Sequence, residues 1–391
     1  MKKKWKMLLA MMCTGCLLCT GAQGEASKFT QEMVDRSLVS VGNTERLHRA
    51  MDKARNGDKV TIAYLGGSIT EGALASPQQT NCYAALSARA FAEKYMADPA
   101  LLHYVNAGIS GTPSLLGATR LEKDVLRHQP DIVFVEFAVN DGSDLISQQV
   151  YESLIRNLLQ SESQPAVILI FTFLENGYSA QEHMQNVGTL YKLGMISVRD
   201  ALKPAMDQGA LAWGDYSPDY AHPSTQGHAF LAELIAHYFA QAEKESPVPF
   251  QMPRFTRYGK MLEGIKNIRQ GDPRIITEGD FPYQNARCYS YDKGWCHRTY
   301  KDDPQSMILE LNARRMTIVF KQENSKDCGT AEILVDGEVK MTLPGYSQSA
   351  WGNPVTQLLS LSGEGPHTIE IRMAEGDEKK RFTLLDFGYV E

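Results

Sequence analysis

Up to about residue 243, short apolar runs alternate with amphipathic stretches along the chain. Val60, Ile62, Ala63, Tyr64 and Leu65 carry almost no polar side chain between them, which predicts a strand buried on both faces. A helix is expected over 83–95, a strand over 101–106, a helix over 114–127 and a strand over 131–137. A helix over 147–160, the strand AVILIFTF over 166–173 and a helix over 180–193 continue the series. This alternation argues for a parallel sheet covered by helices on both faces.

Pro247, Pro249 and Pro253 then break the pattern and read as a linker over 246–255. Beyond it the period changes. MILEL, MTIVF, AEILVDGEVKMTL, PHTIEIRM and RFTLLDFGYV are short β-rich runs separated by turn signals, and Asp336-Gly337 is a hairpin signature. A β-sandwich or jelly roll over 256–391 is the simplest closure.

The strand ending at Leu65 runs into Gly66, Gly67 and Ser68. Paired glycines remove side-chain bulk there, so a turn can lift the serine hydroxyl to the carboxyl edge of the sheet. Taken alone, the segment is equally an ordinary turn, since Ser68 with Glu71 three residues on has the form of a capping box. It is not the G-x-S-x-G elbow, because Thr70 stands in place of the last glycine.

Three further segments end apolar runs where an open sheet delivers its loops to a shared crevice. One carries Asn106, Gly108 and Gly111; a second ends in Asn140, Asp141 and Gly142; the third, DYAHPSTQGH, places Asp219 and His222 before a long helix capped by Ser224 or Thr225. Ester cleavage needs an activated hydroxyl, a base, an orienting carboxylate and donors for the oxyanion. Ser68, His222 and Asp219 fit the first three roles. The amides of Ser68 and Gly111 and the Asn140 side chain fit the fourth.

These residues resemble the SGNH, or GDSL-like, hydrolase family, whose serine, glycine, asparagine and histidine blocks fall here on Ser68, Gly111, Asn140 and His222, with Asp219 as the D-x-x-H aspartate. The resemblance covers roughly 40–243 and implies a flavodoxin-like α/β sheet over 25–245. Two positions depart from the family. Gly67 stands where G-D-S is frequent, and Ala138 replaces the glycine of G-x-N-D, which predicts a narrower acyl site.

Composition bounds the rest. The chain has 391 residues and a net charge of −6, so a basic nucleic-acid surface has no support. Lys2, Lys3, Lys4 and Lys6 before the apolar stretch from Met7 to Leu18 predict an export signal over 1–24. Removing those lysines leaves about −10. Cys13-Thr14-Gly15-Cys16 approaches a lipoprotein site, so an anchor at Cys16 would be the sole membrane attachment. The expected location is periplasmic, extracellular or surface-anchored.

Of the cysteines beyond the signal, Cys82, Cys288, Cys296 and Cys328, a bridge is expected within the C-terminal three, with free thiols as the alternative. No cofactor and no metal are expected, since ligand spacing is lacking. His228 reads as a packed or solvent-facing side chain, and His103, His128 and His183 carry no assigned role. Tyr289, Tyr291, Trp295, Tyr300, Tyr346 and Trp351 suit packing within or between domains better than a sugar platform. The stretch YSYDKGWCHRTY could cover the hydrolase crevice.

The resemblance, the signal and the appended β-domain together imply an exported serine esterase that removes acetyl groups from an oligo- or polysaccharide through an acyl-enzyme on Ser68. The alternatives are an esterase on other small or lipid acyl esters, and a non-catalytic glycan-binding surface protein. No lipid-docking helix stands between the blocks, which disfavours long-chain lipids.

Overall fold

The structure is a computed structural model that describes residues 28–298, 301–363 and 365–391. The expected export signal, Cys13, Cys16, Cys19 and Tyr300 lie outside the described residues.

The first sheet contains β1 (Leu38–Ser40), β2 (Val60–Gly66), β3 (Leu102–Gly108), β4 (Ile132–Glu136), β5 (Ala166–Phe171) and β6 (Gly194–Ser197) in the order β1-β6-β5-β4-β2-β3. From β2 to β6 every pairing is parallel, which is the doubly wound order of a flavodoxin-like sheet. The short β1 adds an antiparallel edge that the apolar pattern did not announce.

Alternation along β2 explains its unbroken apolar run. Ile62 and Tyr64 join one core with Phe134, Ile168 and residues of the helices Tyr83–Tyr95 and Thr225–Ala242. Ala63 and Leu65 join the opposite core with Val133, Leu169 and residues of the helix Leu145–Gln160. That last helix starts earlier than expected because Asp144 caps it, accepting from Ser147 N–H.

The single helix expected over 114–127 is three pieces, Ser114–Thr119, Leu121–Asp124 and the 3-10 turn Leu126–His128. The break falls at Arg120. Its fully buried guanidinium pairs with Asp124 at 3.1 Å and donates to Gly66 O at 3.2 Å, so tertiary bonding to the end of β2 overrides helix continuity.

The C-terminal region is two antiparallel sheets. One contains β7 (Lys266–Ile268), β9 (Tyr283–Cys288), β10 (Tyr291–His297), β12 (Arg315–Gln322), β15 (Asn353–Ser360) and β17 (Phe382–Val390). The other contains β8 (Ile275–Thr277), β11 (Met307–Leu311), β13 (Thr330–Val335), β14 (Glu338–Pro344) and β16 (His367–Met373). Trp295, Leu309, Ile318, Phe320, Ile333, Ile371 and Leu384 fill the space between them. Asp336 and Gly337 both adopt positive φ, 52° and 86°, as the turn between β13 and β14 requires.

The region read as a linker is itself docked, and so is the segment after it. Phe250, Met252, Tyr258 and Ile265 pack on the hydrolase core and Leu262 is fully buried in it. The two domains also meet through Leu116 against Ala286, Tyr291, Val319 and Leu385, and through Thr119 Oγ1 and Thr317 Oγ1 at 3.0 Å. All four described cysteines are free thiols, so the expected bridge is absent. Burial pushes the Cys288 thiol up to about 12, and it sits 3.3 Å from Gly352 O.

Candidate active site

Four loops leave the carboxyl ends of β2, β3 and β4 and the segment before the helix Thr225–Ala242, and they converge. Ser68 begins the short helix Ser68–Glu71, whose N-cap is Gly67 with no side-chain cap bond. The capping-box reading of Ser68 therefore fails. Its hydroxyl donates instead to His222 Nε2 at 2.8 Å.

Asp219 is built to orient that imidazole. Its Oδ1 accepts the N–H groups of Ala221 and His222 at 2.8 and 2.7 Å, while Oδ2 accepts His222 Nδ1–H at 2.8 Å. Burial alone would raise the Asp219 carboxyl, but these hydrogen bonds and the facing His222 outweigh it and bring it down to about 2. Ser217 Oγ, 2.6 Å from His222 O, and Trp213 Nε1–H, 2.6 Å from Asp219 O, fix the backbone of the turn. Ser224, rather than Thr225, caps the following helix by accepting Gly227 N–H at 3.1 Å.

Two of the three donors expected for an oxyanion, the Ser68 amide and Asn140, lie at the nucleophile turn. The Ser68 amide, first in its helix, has no intrahelical carbonyl to meet. Gly111 adopts φ +70°, and Asn140 lies so close to the nucleophile turn that a Cβ on Gly67 would stand 2.3 Å from Asn140 Oδ1. Ala138, which replaces the family glycine, is fully buried in the core that also holds Phe137, Tyr151 and Ala180.

Several residues that the sequence reading passed over support this site. Glu136 is a buried carboxyl at the end of β4, bonded to Thr172 Oγ1 at 2.6 Å, to Thr70 Oγ1 at 3.2 Å and to the Gly67 amide. Burial raises it, against the pull of those bonds. A single charge between Asp131 and Asp141 in an otherwise apolar run was the available signal. His228 is buried, accepting Tyr83 N–H through Nδ1 at 3.2 Å and donating to Ala73 O at 3.0 Å, so the packed reading holds.

The β-domain reaches this cleft. Trp351 is 59% exposed and its ring would stand 2.9 Å from a Cβ on Gly111. Its Nε1–H donates to Tyr289 Oη at 3.0 Å. Tyr289 heads the stretch expected to cover the crevice, and the adjacent Ser290 docks on the hydrolase domain through Lys123 Nζ at 2.6 Å and Asp124 Oδ2 at 3.3 Å. Tyr291 and Trp295 are buried instead. A cavity of about 640 Å³ lined by Val41, Asn43, Lys192 and Met195 lies by β1 and shares no residue with this cleft.

A serine and histidine joined at the carboxyl edge of a doubly wound sheet, with an aspartate holding the imidazole, define a serine acylhydrolase site. Residues 64–230 match the GDSL-like lipase/acylhydrolase family. Among solved structures, the chain is similar to a two-domain esterase (CEX) active on acetylated mannans, with 26% identity over 92% of this chain and 99% of that one and a TM-score of 0.80. The same esterase co-crystallized with mannopentaose aligns over 92% of this chain and 98% of that one, at 26% identity and a TM-score of 0.79. No curated protein matches the chain by sequence.

Proposed function

We propose that this protein is an exported ester hydrolase that removes acetyl groups from carbohydrates through an acyl-enzyme on Ser68. The observation that carries the reading is the contact chain Ser68 Oγ, His222, Asp219, with 2.8 Å at each step. In the first half-reaction Ser68 Oγ attacks the acetyl carbonyl carbon while His222 Nε2 takes the hydroxyl proton. Asp219 holds the imidazole by Nδ1 and stabilises its charge.

The tetrahedral oxyanion is met by the amides of Ser68 and Gly111 and by Asn140 Nδ2. Collapse breaks the bond to the sugar oxygen, which leaves with the proton from His222. Water then attacks the acetyl-serine with His222 again as base, releasing acetate and restoring Ser68.

Support for a carbohydrate comes from the β-domain. Trp351 and Tyr289 set an exposed aromatic pair beside Gly111, and a flat ring suits the apolar face of a pyranose. The similar two-domain esterase is active on acetylated mannans, which makes acetylated mannan the first substrate to test. The lysines and apolar stretch within residues 1–24 support export.

Purified protein incubated with acetylated mannan and acetylated xylan should release acetate, and Ser68→Ala should abolish release from both. Release that persists in Ser68→Ala overturns the nucleophile. Absence of release from every acetylated glycan, with turnover of long-chain acyl esters, overturns the substrate class.

A further inference from the structure

We infer that Glu71 is a positioning residue that aims the Gly111 amide into the oxyanion hole by gripping its neighbour Ser110, an inference that rests on the hydrolase reading of Ser68. One carboxylate oxygen, Glu71 Oε2, accepts both the Ser110 N–H at 2.8 Å and the Ser110 Oγ–H at 2.5 Å. Glu71 is free to make these bonds because it does not cap its own helix, whose N-cap Gly67 has no side-chain bond.

The nucleophile and this carboxylate share one helical turn, Ser68–Glu71. Whatever displaces one therefore displaces the other. The loop carrying Gly111 leans directly on that turn: a Cβ on Gly108 would stand 2.1 Å from Glu71 N. Asn106 Nδ2–H donates to Thr70 O at 2.8 Å while its Oδ1 accepts Gly108 N–H at 2.9 Å, and Ile109 N–H donates to Gly66 O at 3.1 Å.

On the far side, Ser114 N–H donates to Asp141 Oδ1 at 2.7 Å. Between Ile109 and Ser114 the chain is secured locally by Thr112 Oγ1–H to Ile109 O at 2.7 Å, and by the grip of Glu71 on Ser110. Gly111 has φ +70° and no side chain of its own to fix it, so the direction of its N–H is set by the residue before it. Without that grip the amide loses its aim although Ser68, His222 and Asp219 remain in contact.

The test compares wild type, Glu71→Ala, Glu71→Gln and Ser110→Ala on p-nitrophenyl acetate, with labelling of Ser68 by a fluorophosphonate as a second readout. Glu71→Ala should lower kcat about 10- to 100-fold, less than outright deletion of a donor, with KM changed by less than about 3-fold. Glu71→Gln, whose amide oxygen accepts the same bonds, should stay within about 3-fold of wild type. Ser110→Ala, which keeps the N–H bond and loses the hydroxyl, should fall between.

A kcat within 2-fold of wild type in Glu71→Ala overturns the inference, as does Glu71→Gln as slow as Glu71→Ala, which would point to charge and not position. If Glu71→Ala loses its thermal transition, Ser110→Ala carries the test, and an unchanged kcat there overturns it. Wild type that neither turns over the ester nor takes the label on Ser68 overturns the hydrolase reading and this inference together, whereas a slow variant beside active wild type bears on Glu71 alone.

Discussion

Asn140 occupies the space where a side chain at position 67 would begin, with Oδ1 at 2.3 Å from a Cβ built on Gly67. The Asn140 oxygen is itself buried without a hydrogen-bond partner, so the carboxamide is held by packing against the glycine and not by a bond through Oδ1. The chain's departure from G-D-S and the placement of Asn140 are thus one feature.

Gly67→Ala, and more so Gly67→Asp, should therefore push Asn140 out of position. The expected loss is about 100- to 1000-fold in kcat, the size of a deleted oxyanion donor, with the fold intact by circular dichroism. Steady-state kinetics on a small acetyl ester measures it, and a variant with wild-type kcat would show that Asn140 tolerates displacement.

Trp351 stands beside Gly111 and donates its indole N–H to Tyr289 Oη. Trp351→Ala should leave kcat/KM on p-nitrophenyl acetate within about 2-fold, and lower kcat/KM on an acetylated mannan oligosaccharide about 3- to 10-fold, as expected for losing one aromatic contact. Equal losses on both substrates would assign the indole to shaping the acyl site instead.

The buried Glu152 ties the docking segment to the hydrolase domain, accepting the N–H groups of Arg257, Tyr258 and Gly259 at 2.7, 2.6 and 3.0 Å and the Tyr191 hydroxyl at 2.8 Å. Glu152→Ala leaves these donors unmet and should cost about 3 kcal/mol or more. Thermal unfolding reads the loss. Trypsin should cut at Arg254 or Arg257 in the variant before it cuts the wild type, and equal cutting rates would refute the role.

At the seam between domains, burial pushes the Asp386 carboxyl up to about 7, against the pull of Lys123 and its bond from Asn267 Nδ2 at 3.3 Å. The unfolded chain releases that proton near 3.9, so between about pH 4 and 7 the folded state binds more protons. Stability then falls as pH rises through this window and levels off above it. Asp386→Asn removes the titration, so its Tm relative to wild type should rise from pH 5 to pH 8. A difference that stays flat or shrinks would contradict the assignment.

Period and punctuation made much of this molecule legible. The unbroken apolar run of β2 required two covered faces, and the switch to short β-rich runs after Pro253 required a separate β-domain, because burial on one or two faces imposes those patterns on any chain. Ser68, Gly111 and Asn140 were readable because they follow the ends of β2, β3 and β4, which a parallel sheet delivers to one edge, whereas Asp219 and His222 follow the short helix Trp213–Tyr216 and were readable from their D-x-x-H spacing. Contacts between distant segments left no period in the sequence. Arg120 breaking its helix, Glu136 under the nucleophile, Glu71 reaching Ser110 and Trp351 arriving from another domain were all decided by tertiary packing. A local pattern records which face of an element is buried, and nothing in it records which remote atom fills the space opposite.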